Sequence, residues 1–275
     1  MELYQLIINQ AANALDEDVG SGDITAALID ADSRLETELL VREDAVLCGC
    51  QWFDEVFRQC DESVRIEWQA ADGDRVAADT VVCEISGPAR GILSAERSAI
   101  NFLQTLSGTA TTTRAYVDRI SHTGCRILDT RKTIPQLRVA QKYAVLCGGG
   151  ANHRIGLFDA YLIKENHLAA SGGIGETVAR ARAAHGDRFV EVEVETLEQL
   201  QQAIVAGADR ALLDNFSLPD MKRAAELNNG RLELEASGNI SEDRLVEIAD
   251  TGVDFISIGA LTKNLRAIDF SLRYR

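Results

Sequence analysis

Val190-Glu191-Val192-Glu193-Val194-Glu195 decides how the second half of the chain is read. Side chains alternate faces along an extended strand, so the glutamates should share one face and the valines the other. A solvent-exposed edge strand would show the same alternation. The surroundings favour a different reading. Short apolar runs occur at 126–128, 160–163, 189–194, 211–213, 232–235 and 255–258, with amphipathic stretches such as 197–206 and 242–249 between them. The last three runs end roughly every 20 residues, the length of a compact βα unit, which predicts parallel strands. Six strands are visible, and a closed barrel needs at least one more. In a barrel the valines pack against helices and the glutamates point inward. Inward carboxylates are costly unless lysines, arginines or a divalent metal compensate them.

Most of these runs stop at polar or glycine-rich junctions: Asp129-Thr130-Arg131-Lys132, Lys164-Glu165-Asn166-His167, Asp214-Asn215, Ser237-Gly238-Asn239 and Gly259-Ala260. One such junction is an ordinary turn or helix cap. Five in register predict one mouth at the carboxyl ends of the strands. Between positions 126 and 164 lie Arg126, Arg131, Lys132, Arg138, Lys142, Arg154, Lys164 and His153, opposed only by Asp129 and Asp159. The whole chain carries a formal charge of −15, which argues against nucleic acid or an anionic membrane as partner. A basic cluster in so acidic a protein suits a small, strongly anionic ligand. Arginine matches carboxylate or phosphate bidentately, and lysine serves as a point charge. Some of these cations are also expected to pair with the inward glutamates. The Gly148-Gly149-Gly150 run adjoins the cluster, and the late turns at Ser237-Gly238-Asn239 and Gly259-Ala260 fit a phosphate site. Glu193 and Asp214, on successive strands, form a candidate Mg²⁺ pair. The alternative is that both only pair with lysines.

The first hundred residues read as α+β by their mixed periodicity. Residues 3–15 and 52–59 have helical patterns, and strand-like runs lie at 38–41, 45–48, 64–68 and 80–85. The longest helical stretch is 94–121. Ser94 is a plausible cap without a capping box, since Arg97 stands where Glu or Gln is needed, and Gly108 could divide the stretch in two. No signal peptide and no membrane-spanning run is apparent, so a soluble cytoplasmic protein is expected. Cys48, Cys50, Cys60, Cys83, Cys125 and Cys147 lack zinc-finger spacing and are expected to be free thiols.

Several of these motifs carry a family likeness. Asp129-Thr130-Arg131-Lys132-Thr133, Gln141-Lys142-Tyr143-Ala144-Val145, the glycine loop 148–156 and Leu162-Ile163-Lys164-Glu165-Asn166-His167 resemble quinolinate phosphoribosyltransferases in order and spacing. So do 191–195, Leu213-Asp214-Asn215, 253–261, the stretch 17–25 and Glu96-Arg97-Ser98-Ala99-Ile100-Asn101-Phe102. The likeness covers nearly the whole chain. It implies an N-terminal α/β sandwich over 1–108 and an irregular seven-stranded α/β barrel over 109–275. It also implies a homodimer in which one subunit's N-terminal domain closes the other's barrel mouth.

The implied reaction joins quinolinate to phosphoribosyl pyrophosphate and gives nicotinate mononucleotide, CO₂ and pyrophosphate, a step of NAD biosynthesis. By the same resemblance, Arg131, Arg154, Lys164 and His153 hold the quinolinate carboxylates, with Arg97 reaching in from the partner subunit. Lys132, Lys142 and Lys263 face phosphates, with Thr130 beside them at the first junction. Glu193 and Asp214 meet Mg²⁺ and the ribose, and Lys132, Lys164, Glu193 and Asp214 form the catalytic set. The turns of Ser237, Gly238, Asn239 and of Ile258, Gly259, Ala260 take the terminal phosphate. Gln136 and Asn239 stand where glycine is frequent in the family, and Lys263 replaces a frequent histidine. A phosphoribosyltransferase acting on another base, and a non-catalytic phosphosugar-binding barrel, are the competing readings.

Overall fold

The computed structural model describes residues 3–238, 240 and 242–275. In chain order the elements are α1 (Leu3–Asp18), β1 (Arg34–Val41), β2 (Ala45–Val46), α2 (Cys50–Cys60), β3 (Arg65–Trp68), β4 (Arg75–Val76), β5 (Thr80–Pro88) and α3 (Ala89–Arg119). There follow β6 (Arg126–Leu128), α4 (Arg138–Cys147), β7 (Tyr161–Ile163), α5 (Glu165–Ser171), α6 (Ile174–Ala184), β8 (Val190–Val194), α7 (Leu197–Ala206) and β9 (Arg210–Asp214). The last are α8 (Leu218–Asn228), β10 (Glu233–Ser237), α9 (Leu245–Ala249), β11 (Phe255–Ser257), α10 (Ala260–Lys263) and β12 (Phe270–Tyr274). Contacts divide the chain into two units. One runs through Arg114 and includes Val139–Gly149 and Asn264–Arg275; the other comprises Ala115–Arg138 and Gly150–Lys263.

The first unit holds a four-stranded antiparallel sheet in the order β12-β1-β5-β3. Its outer member β12 comes from the far end of the chain, pairing Phe270 with Val41 and Tyr274 with Thr37. Trp52, Phe53 and Phe57 of α2 lie buried in the core, and Trp68 meets the Phe53 ring edge-on at 5.3 Å. On α3, Ile92, Ala95, Ala99, Leu103, Leu106 and Ala110 are all fully buried. Their spacing of three and four residues makes one continuous apolar stripe, and this holds the helix together through Gly108.

Two expectations for this helix change. Ser94 is not its cap, because the helix begins at Ala89 directly after the β5 strand; the Ser94 hydroxyl instead donates to Asp23 Oδ2 at 2.9 Å. Gly108 does not break the helix. A Cβ there would stand 2.2 Å from the Arg266 carbonyl oxygen, so the glycine permits a close backbone crossing.

The second unit is the irregular α/β barrel. Its six strands are parallel in the order β6-β11-β10-β9-β8-β7, matching the six runs read from the sequence within one or two residues at their ends. The seventh position is reduced to one parallel bridge between Ala151 and Leu128. On β8, Val190, Val192 and Val194 are fully buried, and Glu191 on the opposite face is 1% exposed. Both faces are therefore covered, as in other parallel sheets. Glu195 departs from the expected trio. The strand ends at Val194, Thr196 caps α7 by accepting from the Gln199 N–H, and Glu195 is left exposed. Among the described residues, all six cysteines are free, and no helix is long and apolar enough to cross a membrane.

Candidate active site

Parallel strands deliver their last residues to one end, and there the second unit gathers its polar groups. The junction after β6 is built first. Asp129 is fully buried and accepts the His153 backbone N–H at 2.9 Å. Lys132 is fixed at its backbone: its N–H donates to Thr130 Oγ1 at 3.0 Å, and its carbonyl accepts from Thr262 Oγ1 at 2.7 Å. Its exposed side chain runs over Gly259, where a Cβ would lie 2.8 Å from Lys132 Cδ.

Arg138 braces the same segment, donating to the carbonyls of Arg131 and Ile155 and to Thr133 Oγ1. Its charge falls in the basic cluster of the sequence, but three of its donor nitrogens serve the loop instead of a ligand. Arg126 also falls outside the mouth. It opens β6, at the strand's opposite end, and lies over the Phe255 ring at 5.8 Å. Gln136, where glycine is frequent in the family, has φ +66° and so adopts the left-handed backbone that glycine accepts most easily.

Arg131 and Arg154 form the cationic floor. The Arg131 Nε is buried with no hydrogen-bond partner. Arg154 donates to the Ala160 carbonyl at 3.1 Å. Burial, and then the neighbouring Arg131 charge, hold the Arg154 guanidinium below its ordinary pKa against the pull of Glu191 and Asp159. Two guanidiniums crowded in this way, one with a buried N–H that no protein group accepts, suit an anionic partner.

The acidic wall stands on β8 and β9. Lys164 Nζ pairs with Glu193 Oε2 at 2.6 Å. Burial, and then the Glu193 charge, raise the Asp214 carboxyl above its ordinary pKa, opposed by the Asn215 amide and by Lys164. Two carboxylates in one field, with the Lys164 charge acting on both, fit the hard, oxygen-only donor set that Mg²⁺ takes. At the neighbouring junction Gly238 packs on Asn215; a Cβ on it would stand 2.3 Å from Asn215 Oδ1. Ser237 ends β10, Ile258 is buried, Gly259 and Ala260 are half-buried, and Lys263 is exposed. Asn239 lies outside the described residues. Arg97, exposed on α3, and Lys142, 2% exposed on α4, belong to the first unit.

The cluster beneath the mouth adds Arg210, Glu233 and Glu235, which the sequence does not single out. His153 Nε2 lies 2.8 Å from Glu191 Oε2 and 3.5 Å from Glu235 Oε2. Arg210 reaches Glu235 at 3.3 Å and Glu233 at 2.6 Å, with its guanidinium 4.2 Å from the centre of the Phe255 ring. The signal was available, because Leu232-Glu233-Leu234-Glu235 repeats the alternation of β8. Burial, and then the Glu191 charge, push the Glu235 carboxyl up to about 8. From its ordinary 4.5 to about 8, the folded protein therefore holds a proton that the unfolded chain releases, and stability falls as pH rises through that window. Urea unfolding should show a loss on the order of 2–4 kcal/mol between about pH 5 and pH 8. Glu235→Gln should flatten that slope, and an unchanged slope in the variant would assign it to other groups.

Comparison with known proteins agrees in fold and extent. Residues 23–107 match the description "Quinolinate phosphoribosyl transferase, N-terminal domain", and residues 109–273 match its C-terminal domain. A probable nicotinate-nucleotide pyrophosphorylase (carboxylating) of Bacillus subtilis is 41% identical over 257 residues, covering 93% of this chain and 89% of that protein. The chloroplastic protein described as nicotinate-nucleotide pyrophosphorylase (carboxylating) in Oryza sativa is 41% identical, covering 94% of this chain and 75% of that one. The solved structure of the nicotinate-nucleotide pyrophosphorylase from Francisella tularensis superposes with a TM-score of 0.97 at 48% identity, covering 100% of this chain and 98% of that chain.

Proposed function

The chain belongs to the quinolinate phosphoribosyltransferase family, and on that premise we propose that it transfers a phosphoribosyl group from phosphoribosyl pyrophosphate to quinolinate with decarboxylation. The products are nicotinate mononucleotide, CO₂ and pyrophosphate. One observation carries the substrate class: the crowded Arg131–Arg154 pair, with its buried idle Nε, calls for a ligand bearing more than one negative charge.

In the proposed reaction Arg131, Arg154 and Lys164 hold the two carboxylates of quinolinate; His153, expected beside them, has both ring nitrogens engaged by protein groups. Thr130, Lys132 and Lys263 face the phosphates of the donor, and Ser237, Gly238 and the turn at 258–260 seat the terminal phosphate. Glu193 and Asp214 would hold Mg²⁺, which when bound supplies charge neutralisation for departing pyrophosphate. The same carboxylates face the positive charge that develops on the ribose as the bond to pyrophosphate breaks. The pyridine nitrogen then bonds to the anomeric carbon. Its cationic ring takes up the electron pair released when the adjacent carboxylate leaves as CO₂, and a proton fills the vacated position.

Selectivity tests this reading. By calorimetry, quinolinate should bind and nicotinate, with one carboxylate, should bind at least about 100-fold more weakly, because one buried guanidinium contact is left unmade. Equal affinities would remove the dicarboxylate argument.

The assembly is proposed as a cytoplasmic homodimer in which the partner subunit's Arg97 completes the quinolinate site. Support comes from the exposed position of Arg97 on α3 and from the likeness to the family. Arg97→Ala and Lys132→Ala would then disable different contributions to one shared site. Mixing the two inactive variants should restore part of the activity, and heterodimers without rescue would refute the sharing.

A further inference from the structure

His153 is held at both ring nitrogens by protein groups. Nδ1 accepts the Arg154 backbone N–H at 2.7 Å, and Nε2 faces Glu191 at 2.8 Å. A nitrogen that accepts a backbone N–H carries no proton, so the ring is neutral with its hydrogen on Nε2. Glu191 Oε2 accepts that hydrogen. Glu235 Oε2 lies 3.5 Å from the same nitrogen, and Arg210 holds Glu235 at 3.3 Å. The backbone N–H of His153 is fixed separately, on Asp129 at 2.9 Å. The cluster of Arg210, Glu235, Glu191 and His153 thus ends on the backbone of the residue whose guanidinium faces Arg131. Glu191 and Glu235 are 1% and 0% exposed, so this brace is shielded from water.

We infer that Glu191, Glu235 and Arg210 are positioning residues that lock His153 in its neutral Nε2–H tautomer, and that His153 in turn sets Arg154 against the substrate dicarboxylate. His153 then contributes position to the site and no charge. The inference rests on the proposed reaction for its kinetic readout and on the free protein alone for its spectroscopic one. Rigid support of this kind decides whether a charged group is held within the narrow tolerance that binding needs.

Two measurements test it. In uniformly ¹⁵N-histidine-labelled wild-type protein at neutral pH, the His153 signals, assigned by their loss in His153→Gln, should show a bare Nδ1 and a protonated Nε2. An imidazolium pattern, with both nitrogens protonated, would overturn the inference whatever the enzyme turns over. Kinetically, Glu235→Ala should raise the quinolinate KM about tenfold while the phosphoribosyl pyrophosphate KM stays within about twofold. Glu235→Gln, which keeps hydrogen-bonding groups in place, should bring the quinolinate KM back within about threefold of wild type. A Glu235→Ala variant that moves both KM values alike, or neither, would reduce the cluster to general stability and overturn the positioning role.

Discussion

Replacing Arg131 by alanine is expected to raise the quinolinate KM by about 30-fold to several thousand-fold, the equivalent of roughly 2–5 kcal/mol. Arg131 Nε is already out of contact with water and meets no acceptor in the protein. Its desolvation is therefore spent before any ligand arrives, and a carboxylate that fills the position recovers a charge-assisted hydrogen bond at little further cost. Arg138 holds the Arg131 carbonyl at 3.2 Å, which reduces the freedom that binding would otherwise remove. Losing the guanidinium leaves a buried substrate carboxylate unpaired, so the effect should appear in quinolinate KM and leave the donor KM near wild type. Steady-state kinetics on the variant is the check, and an unchanged quinolinate KM would remove Arg131 from the carboxylate site.

Glu193→Gln should behave in the opposite way, lowering kcat by about 10²–10³ with no rise in the quinolinate KM. In the resting site Glu193 neutralises Lys164 at 2.6 Å and raises the Asp214 carboxyl through its charge. Glutamine keeps the shape and removes the charge. Lys164 is then free to pair with the substrate dianion, which favours ground-state binding. The field facing the ribosyl cation is weakened, and that loss falls on the transition state. A variant with wild-type kcat would show that Glu193 serves only to balance Lys164. The two substitutions together separate the ground-state cation site from the transition-state wall.

What could be read in advance follows from how local each signal is. Val190–Val194 and its neighbours announced themselves by apolar runs ending at polar junctions, because each strand is short and carries its chemistry at its own carboxyl end. Lys164, Glu193 and Asp214 were legible for that reason, and the structure brings them together. The seventh strand position was not legible, since Ala151 contributes one bridge and needs no periodic run. β12 was missed because Phe270 pairs with Val41, a partnership that no local pattern encodes.

Other misreadings came from treating residue type without direction. Arg126 is as cationic as Arg131, yet it opens the strand that Arg131 follows, so the two lie toward opposite ends of β6. Gly108 has the composition of a break and the function of a close crossing, a distinction set by the Arg266 carbonyl alone. Glu235 is the most instructive omission. Its strand was legible as an apolar run, but the importance of the glutamate lies in its neighbours His153, Glu191 and Arg210, which come from three other segments of the chain.

In the proposed reaction a cationic dicarboxylate pocket faces an acidic, metal-competent wall, and the two together carry out phosphoribosyl transfer with loss of CO₂. Incubating the purified protein with carboxyl-labelled quinolinate, phosphoribosyl pyrophosphate and Mg²⁺ tests this most directly. The expected result is labelled CO₂ released in equal amount to the nicotinate mononucleotide formed, with neither product when any of the three components is left out. Absence of turnover with all components present, or nucleotide formed from another base without CO₂, would contradict it.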